Sequence, residues 1–233
     1  MRLRTGLLAT SACVVAVAGL LAAAPAQAAD STFTVSPGGA WSGTRAADST
    51  VGIRDAVSNQ VTLCSGLTVT GSFKAGAHQS GTNIGALTNI AFTGCKAHTV
   101  AVTVTVHISS SNPAPINLTG EFPAGSGVIT GQATNISLTL DDANGCHAEV
   151  GAKILNGGGP GFTGLAYRNS DARLSFAAGG KGLFVQSATP QCSSGAYHGL
   201  AVKQFDRISL GGFGDSIVDS SAIISPAQRI SSP

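Results

Sequence analysis

Few residues of this chain have the type and spacing to do chemistry. Gly214-Asp215-Ser216-Ile217 sets a serine in a Gly-Asp-Ser block of the kind some hydrolases use for their nucleophile. A serine is a weak nucleophile until a base takes its proton, and no Asp-x-x-His pair follows this block near the C-terminus. Gly125-Ser126-Gly127 lacks the strand-to-helix elbow that exposes such a serine. Both read as glycine-rich turns, and no catalytic residue is predicted.

Metal and acid chemistry fare no better. The five histidines, His78, His98, His107, His147 and His198, form no His-x-His or His-x-x-x-His pair, so no metal centre is predicted. Asp141-Asp142-Ala143-Asn144-Gly145 invites a calcium reading, but Ala143 and Cys146 fall where oxygen ligands belong. A turn with side-chain-to-backbone bonds is the expectation there. Glycosidase chemistry needs two facing acids, and the remaining carboxylates (Asp30, Asp48, Asp55, Glu121, Glu149, Asp171, Asp206, Asp215 and Asp219) are scattered. With Trp41, Tyr167 and Tyr197 as the only Trp and Tyr residues, an aromatic platform for polysaccharide is also not predicted. No cofactor loop is visible, and the expected cofactor set is none.

What positions these residues begins with the leader. Arg2 and Arg4 precede an apolar run from Leu7 to Ala24 that closes on Ala26-Gln27-Ala28, the pattern of a signal peptide cleaved between Ala28 and Ala29. Cys13 falls too early for a lipid anchor and leaves with the leader. No later stretch approaches the ~18–20 apolar residues of a spanning helix, so the expectation is a freely secreted domain over residues 29–233. The chain has 13 Lys+Arg and 11 Asp+Glu. Losing the two leader arginines leaves 11 of each. A neutral chain without a basic cluster excludes the electrostatic footprint of a nucleic-acid binder.

Four cysteines remain: Cys64, Cys95, Cys146 and Cys192. An even count in an exported chain reads as two disulfides. Of three possible pairings, Cys64–Cys95 and Cys146–Cys192 are favoured, because each closes one loop within its own half of the chain. A four-cysteine zinc site would need close CxxC pairs, and there are none.

The dominant period is two. Val100, Val102, Val104, Val106 and Ile108 alternate with Ala101, Thr103, Thr105 and His107, which predicts a strand with one buried face. Weaker alternation recurs about a dozen times, from Phe33/Val35 through Leu200/Val202 to Ala222/Ile224. Asn144-Gly145, between Leu140 and Val150, marks a hairpin. A single helical turn is expected near residues 52–59. The fold predicted is all-β, an antiparallel sandwich or barrel-like domain with two disulfides.

Three segments then carry a resemblance. Thr32-Phe33-Thr34-Val35-Ser36-Pro37-Gly38-Gly39 follows the leader, Leu87-Thr88-Asn89-Ile90-Ala91-Phe92-Thr93-Gly94-Cys95 ends a Cys-flanked segment, and Ile224-Ser225-Pro226-Ala227-Gln228-Arg229-Ile230-Ser231-Ser232-Pro233 closes the sequence. The chain resembles a group of uncharacterised secreted actinomycete proteins. The resemblance implies an exported β domain and no activity. A looser similarity joins it to the enediyne-carrying apoproteins of actinomycetes, whose disulfide loops and domain are much smaller. The functional expectation is therefore a non-catalytic extracellular binding, envelope-associated or structural module. The alternatives are a secreted hydrolase with a dispersed acid or His site, or a carrier with an apolar cavity near Phe73, Phe92 or Leu183.

Overall fold

The computed structural model describes residues 32–152, 159–177, 182–193, 199–211 and 219–232. The predicted leader with Ala28 and Ala29, together with Tyr197, His198 and the Gly214–Ile217 block, lies outside them.

The described residues form eighteen strands and no α-helix. The chain climbs and descends through eight staves, seven of them split in two. The first stave is β2 (Gly39–Arg45) with β3 (Gly52–Asp55), and the second is β4 (Val61–Leu63) with β5 (Gly66–Phe73). The third is β7 (Gly85–Thr93) with β8 (Cys95–Ala97), and the fourth is β9 (Val100–His107) with β10 (Ala114–Glu121). β11 (Val128–Asp142) runs unbroken as the fifth. β12 (His147–Gly151) with β13 (Gly161–Arg168), β14 (Arg173–Ala177) with β15 (Leu183–Ala188), and β16 (Arg207–Ser209) with β17 (Ser221–Ser225) complete the set.

Every pairing is antiparallel; each stave pairs with the next, and the last returns to the first through β17–β2 and β16–β3. β2, β5, β7, β10, β11, β13, β14 and β17 close an upper eight-stranded barrel. The other halves, β3, β4, β8, β9, β12, β15 and β16, continue the wall below and meet the lower part of β11 from both sides. β1 (Thr32–Ser36), β6 (Gly76–Ser80) and β18 (Arg229–Ser231) form a separate three-stranded sheet at the upper end.

Alternation explains the core. Ile129, Ala133, Ile136, Leu138 and Leu140 of β11 are buried, and their neighbours stay wetter. Asn135 breaks the period with φ 61° at a bulge between Thr134 and Ile136. The extra residue keeps the buried set on one face while the pairing passes from β13 to β12. An eight-stranded barrel is just wide enough for side chains to fill, and here Leu, Ile, Val and Phe fill it as one contiguous cluster. Burying each such side chain is worth roughly 1.5–3 kcal/mol. Outward rows are hydroxyl-bearing instead: Ser42 opposes Thr70, Thr44 opposes Thr68, and Thr105 opposes Thr139. That is the reverse of the outward apolar band of a membrane barrel. No described helix is long and apolar enough to cross a membrane.

Both ends are covered. Above, Phe33, Val35 and Ile230 of the small sheet join the core. Two side chains at the end of β13 latch that sheet down. Tyr167 donates its hydroxyl to the Gln228 carbonyl at 2.6 Å and accepts the Gln228 N–H at 3.1 Å. Asn169 does the same for Ile230, donating to its carbonyl at 2.6 Å and accepting its N–H at 2.8 Å. Below, Leu200 and Val202 are buried. Their segment is held by Gln60, which donates to the Gly199 carbonyl and accepts the Ala201 N–H, and by Asp142, which accepts the Leu200 N–H.

Both disulfides join the favoured partners, Cys64 to Cys95 and Cys146 to Cys192. The first clips the second and third staves where each passes from its lower to its upper half. The second ties the β11–β12 turn to the 3-10 turn Pro190–Ser193. Such bridges fit an oxidising compartment.

Two expectations need correction. Residues 52–59 are not a helical turn: Gly52, Ile53 and Arg54 pair with Leu63, Thr62 and Val61. Asp55 then accepts the Val57 N–H and the Ser58 hydroxyl to shape a hairpin turn. Leu200/Val202 alternate as a strand would but lie outside any ladder. Their alternation serves to plug the lower end.

Candidate functional site

The break in the sixth stave creates a groove. The chain leaves the ladder after Gly151 and rejoins it at Gly161, while β11 runs straight past. Gly151 is glycine for a steric reason, since a Cβ there would collide with the Gly159 carbonyl oxygen and the Gln186 side-chain amide. Gly159 itself has φ 90°, a left-handed conformation that suits glycine. Gln186 pins both sides of the detour, donating to the Ala152 carbonyl at 3.0 Å and the Gly159 carbonyl at 2.7 Å.

The resulting groove holds about 260 Å³ between Gly159-Pro160 on one side and His107 on the other. Ser137 and Thr139 of β11, Glu149 of β12 and Gln186 of β15 line it. Ser137 opposes His107 across the β9–β11 ladder, and Thr139 opposes Glu149 across the β11–β12 ladder. Strand periodicity thus turns these four side chains outward, whereas Leu138 and Val150 are buried in the core. Ser187 donates its hydroxyl to Glu149 Oε2 at 3.0 Å. Among the described residues, no donor reaches Glu149 Oε1.

His147 stands two residues before Glu149 on the same outward face. Its Nδ1 lies 2.6 Å from Asp141 Oδ1. The hydrogen bond to Asp141, aided by that carboxylate's charge and Glu149's, holds the imidazole's pKa above the usual histidine value. The proton remains near neutrality more readily than on a free imidazole.

Of the other histidines, His78 lies in β6 and His98 in the β8–β9 turn. Among the described residues, no group of three His, Cys, Asp or Glu side chains is placed to hold a metal. The Asp141–Gly145 turn is built as expected. Asp142 Oδ1 accepts the N–H of Asn144 at 2.8 Å and of Cys146 at 3.0 Å.

Two other charge clusters form. Arg173 reaches Asp48 at 2.7 Å, Asp171 at 3.2 Å and Asp219 at 3.7 Å, and Arg168 bonds Asp171 through two nitrogens. The Arg173 guanidinium bonded to Asp48 holds that carboxyl below the ordinary carboxylate range, and Arg168 chiefly does the same for Asp171. This network fastens the turn after β2 to β14 and to the start of β17, a structural role. Asp55 and Asp206 bring two carboxyls together inside the wall, both buried. Burial, and then the charge and hydrogen bond of Asp55, push the Asp206 carboxyl up, against the Lys203 N–H it accepts at 2.7 Å. Neither acid lines the waist groove.

Phe73, Phe92 and Leu183 belong to the packed core. Phe73 also borders a second groove of about 300 Å³ with Lys74 and Pro113, which Phe92 and Leu183 do not join. Sequence reasoning did not single out Ser137, Thr139 or Gln186. Glu149 and His107 figured only as members of scattered sets, because nothing local marks residues that meet across four staves.

No known protein family, curated protein or solved structure matches this chain.

Proposed function

We propose that the protein is a secreted, non-catalytic extracellular module that binds a component of the cell envelope or its surroundings through its outer wall. The observation that carries this reading is the placement of polar capacity. The interior is filled with apolar side chains and both ends are covered, so hydrogen-bonding groups free to meet a partner lie on the outside. That outside carries rows of hydroxyls, Thr44 opposite Thr68 and Thr105 opposite Thr139. The two disulfides suit export, as does the predicted leader. The test is co-sedimentation of purified, oxidised protein with washed envelope and exopolysaccharide fractions of the producing organism. Retention after a high-salt wash supports the reading; recovery wholly in the supernatant refutes it.

A competing reading places a hydrolase at the waist groove, since Glu149 and His107 line it together. It expects release of new reducing ends or acyl groups from those fractions, abolished by Glu149→Gln. Retention without turnover decides against it.

A further inference from the structure

We propose that the waist groove is a subsite for one neutral sugar ring of an extracellular polysaccharide, an assignment that rests on the surface-binding reading above. The groove's chemistry selects this ligand class. Ser137 and Thr139 offer hydroxyls that donate or accept, and the His107 ring adds two polar nitrogens. Glu149 Oε1 and Gln186 Oε1 are acceptors for which no described side chain or backbone group donates. A polyol, which presents donors and acceptors in alternation, can satisfy such a mixed set. An anion would face the Glu149 carboxylate, and an apolar ligand would strand five polar groups, each costly to leave unpaired.

Size and rigidity agree. About 260 Å³ lies below the ~300–1,000 Å³ pockets that enclose drug-sized ligands, which suits one ring of a longer chain. Ser137, Thr139 and Glu149 sit on paired strands, and the Gln186 amide holds the Gly159 carbonyl beside Pro160. The polar groups are therefore held in place before a ligand arrives, which lowers the ordering cost of binding. The groove beside the C-terminal strand lacks this. At the C-terminal groove, Glu121 is spent on the Gly127 N–H and Asn169 on Ile230.

The test screens oxidised full-length secreted protein against immobilised neutral oligosaccharides (glucans, galactans, mannans and arabinans). Polyuronate and polyphosphate serve as charged comparators, and the tightest neutral binder is then titrated calorimetrically. Thr139→Val and Glu149→Met each keep a similar volume on an outward strand position while removing the polar group, and melting curves matching the wild type confirm their folding. Thr68→Val, on β5 away from the groove, is the control. The expected result is a neutral oligosaccharide whose affinity falls about tenfold in each groove variant, the worth of one hydrogen bond, and is unchanged in Thr68→Val. Equal affinity in all variants overturns the assignment, as does binding confined to the charged polymers. Retention on envelope fractions without any neutral oligosaccharide bound sinks the sugar subsite alone. Loss of envelope retention sinks the broader reading.

Discussion

Replacing Tyr167 by Phe removes one oxygen and tests how the C-terminal strand is held. The ring is fully buried, and Phe fills the same space, so no cavity opens and the ring contact with Phe73 at 6.4 Å survives. What disappears is the partner of both Gln228 backbone groups, its carbonyl at 2.6 Å and its N–H at 3.1 Å. Gln228 is buried, and a buried polar group left unpaired costs about 1–3 kcal/mol. Two such groups give an expected loss of roughly 2–6 kcal/mol. For a domain of this size each kcal/mol moves the midpoint by about 2–4 °C, so Tm should fall by roughly 4–24 °C with an unchanged denaturant m-value. Calorimetric melts at pH 7 read the first quantity and urea titration the second. Amide exchange adds a local check, because the Gln228 N–H should lose protection while β11–β13 amides keep theirs. Asn169→Ala strips Ile230 of the same two bonds, and combining the changes should cost less than their sum, since both latches hold one strand. A midpoint shift of about 1 °C or less in Tyr167→Phe would show that the latch does not hold the sheet, and the account of the upper end would fail.

Asp206→Asn should stabilise the protein at pH 7 by about 1 kcal/mol, the value of a hydrogen bond donated by the new amide to Asp55. Because the Asp206 pKa is raised in the fold, the wild type is more stable below the usual carboxylate range and loses that stability as pH rises through the folded pKa. The advantage of the variant should therefore shrink as melts are repeated toward pH 4, and an advantage that grows instead would contradict the placement of the acid pair. Cys146→Ser with Cys192→Ser opens a loop whose ends lie 46 residues apart. Loop-closure entropy puts the expected loss at roughly 4 kcal/mol, to be read from urea midpoints beside the intact protein. A loss under about 1 kcal/mol would mean the lower end is held by Asp142 and Gln60 without the bridge.

Much of this architecture is written locally. Period-two alternation at Val100–Ile108 and at Ile136–Leu140 decides strand, buried face and fold class, because side-chain direction in a strand needs no distant information. The parity of the cysteines implied two bridges, and the favoured pairing joins residues the meander makes neighbours. Where local pattern misled, the stretch was short or did another task. β4, β8 and β16, at three residues each, are too brief to show a period, and Leu200/Val202 alternate to plug an end.

Closure of the wall and the groove in it belong to tertiary structure alone. Whether eight staves flatten into a sandwich or curl into a barrel depends on register between the first stave and the last, and no stretch of sequence encodes that register by itself. His107, Ser137, Glu149 and Gln186 converge because β11 runs unbroken through a bulge at Asn135 while its neighbour detours around Gly151. Side chains that far apart in the chain share a ligand only after three ladders have locked, so their chemistry stays invisible until the fold brings them to one face.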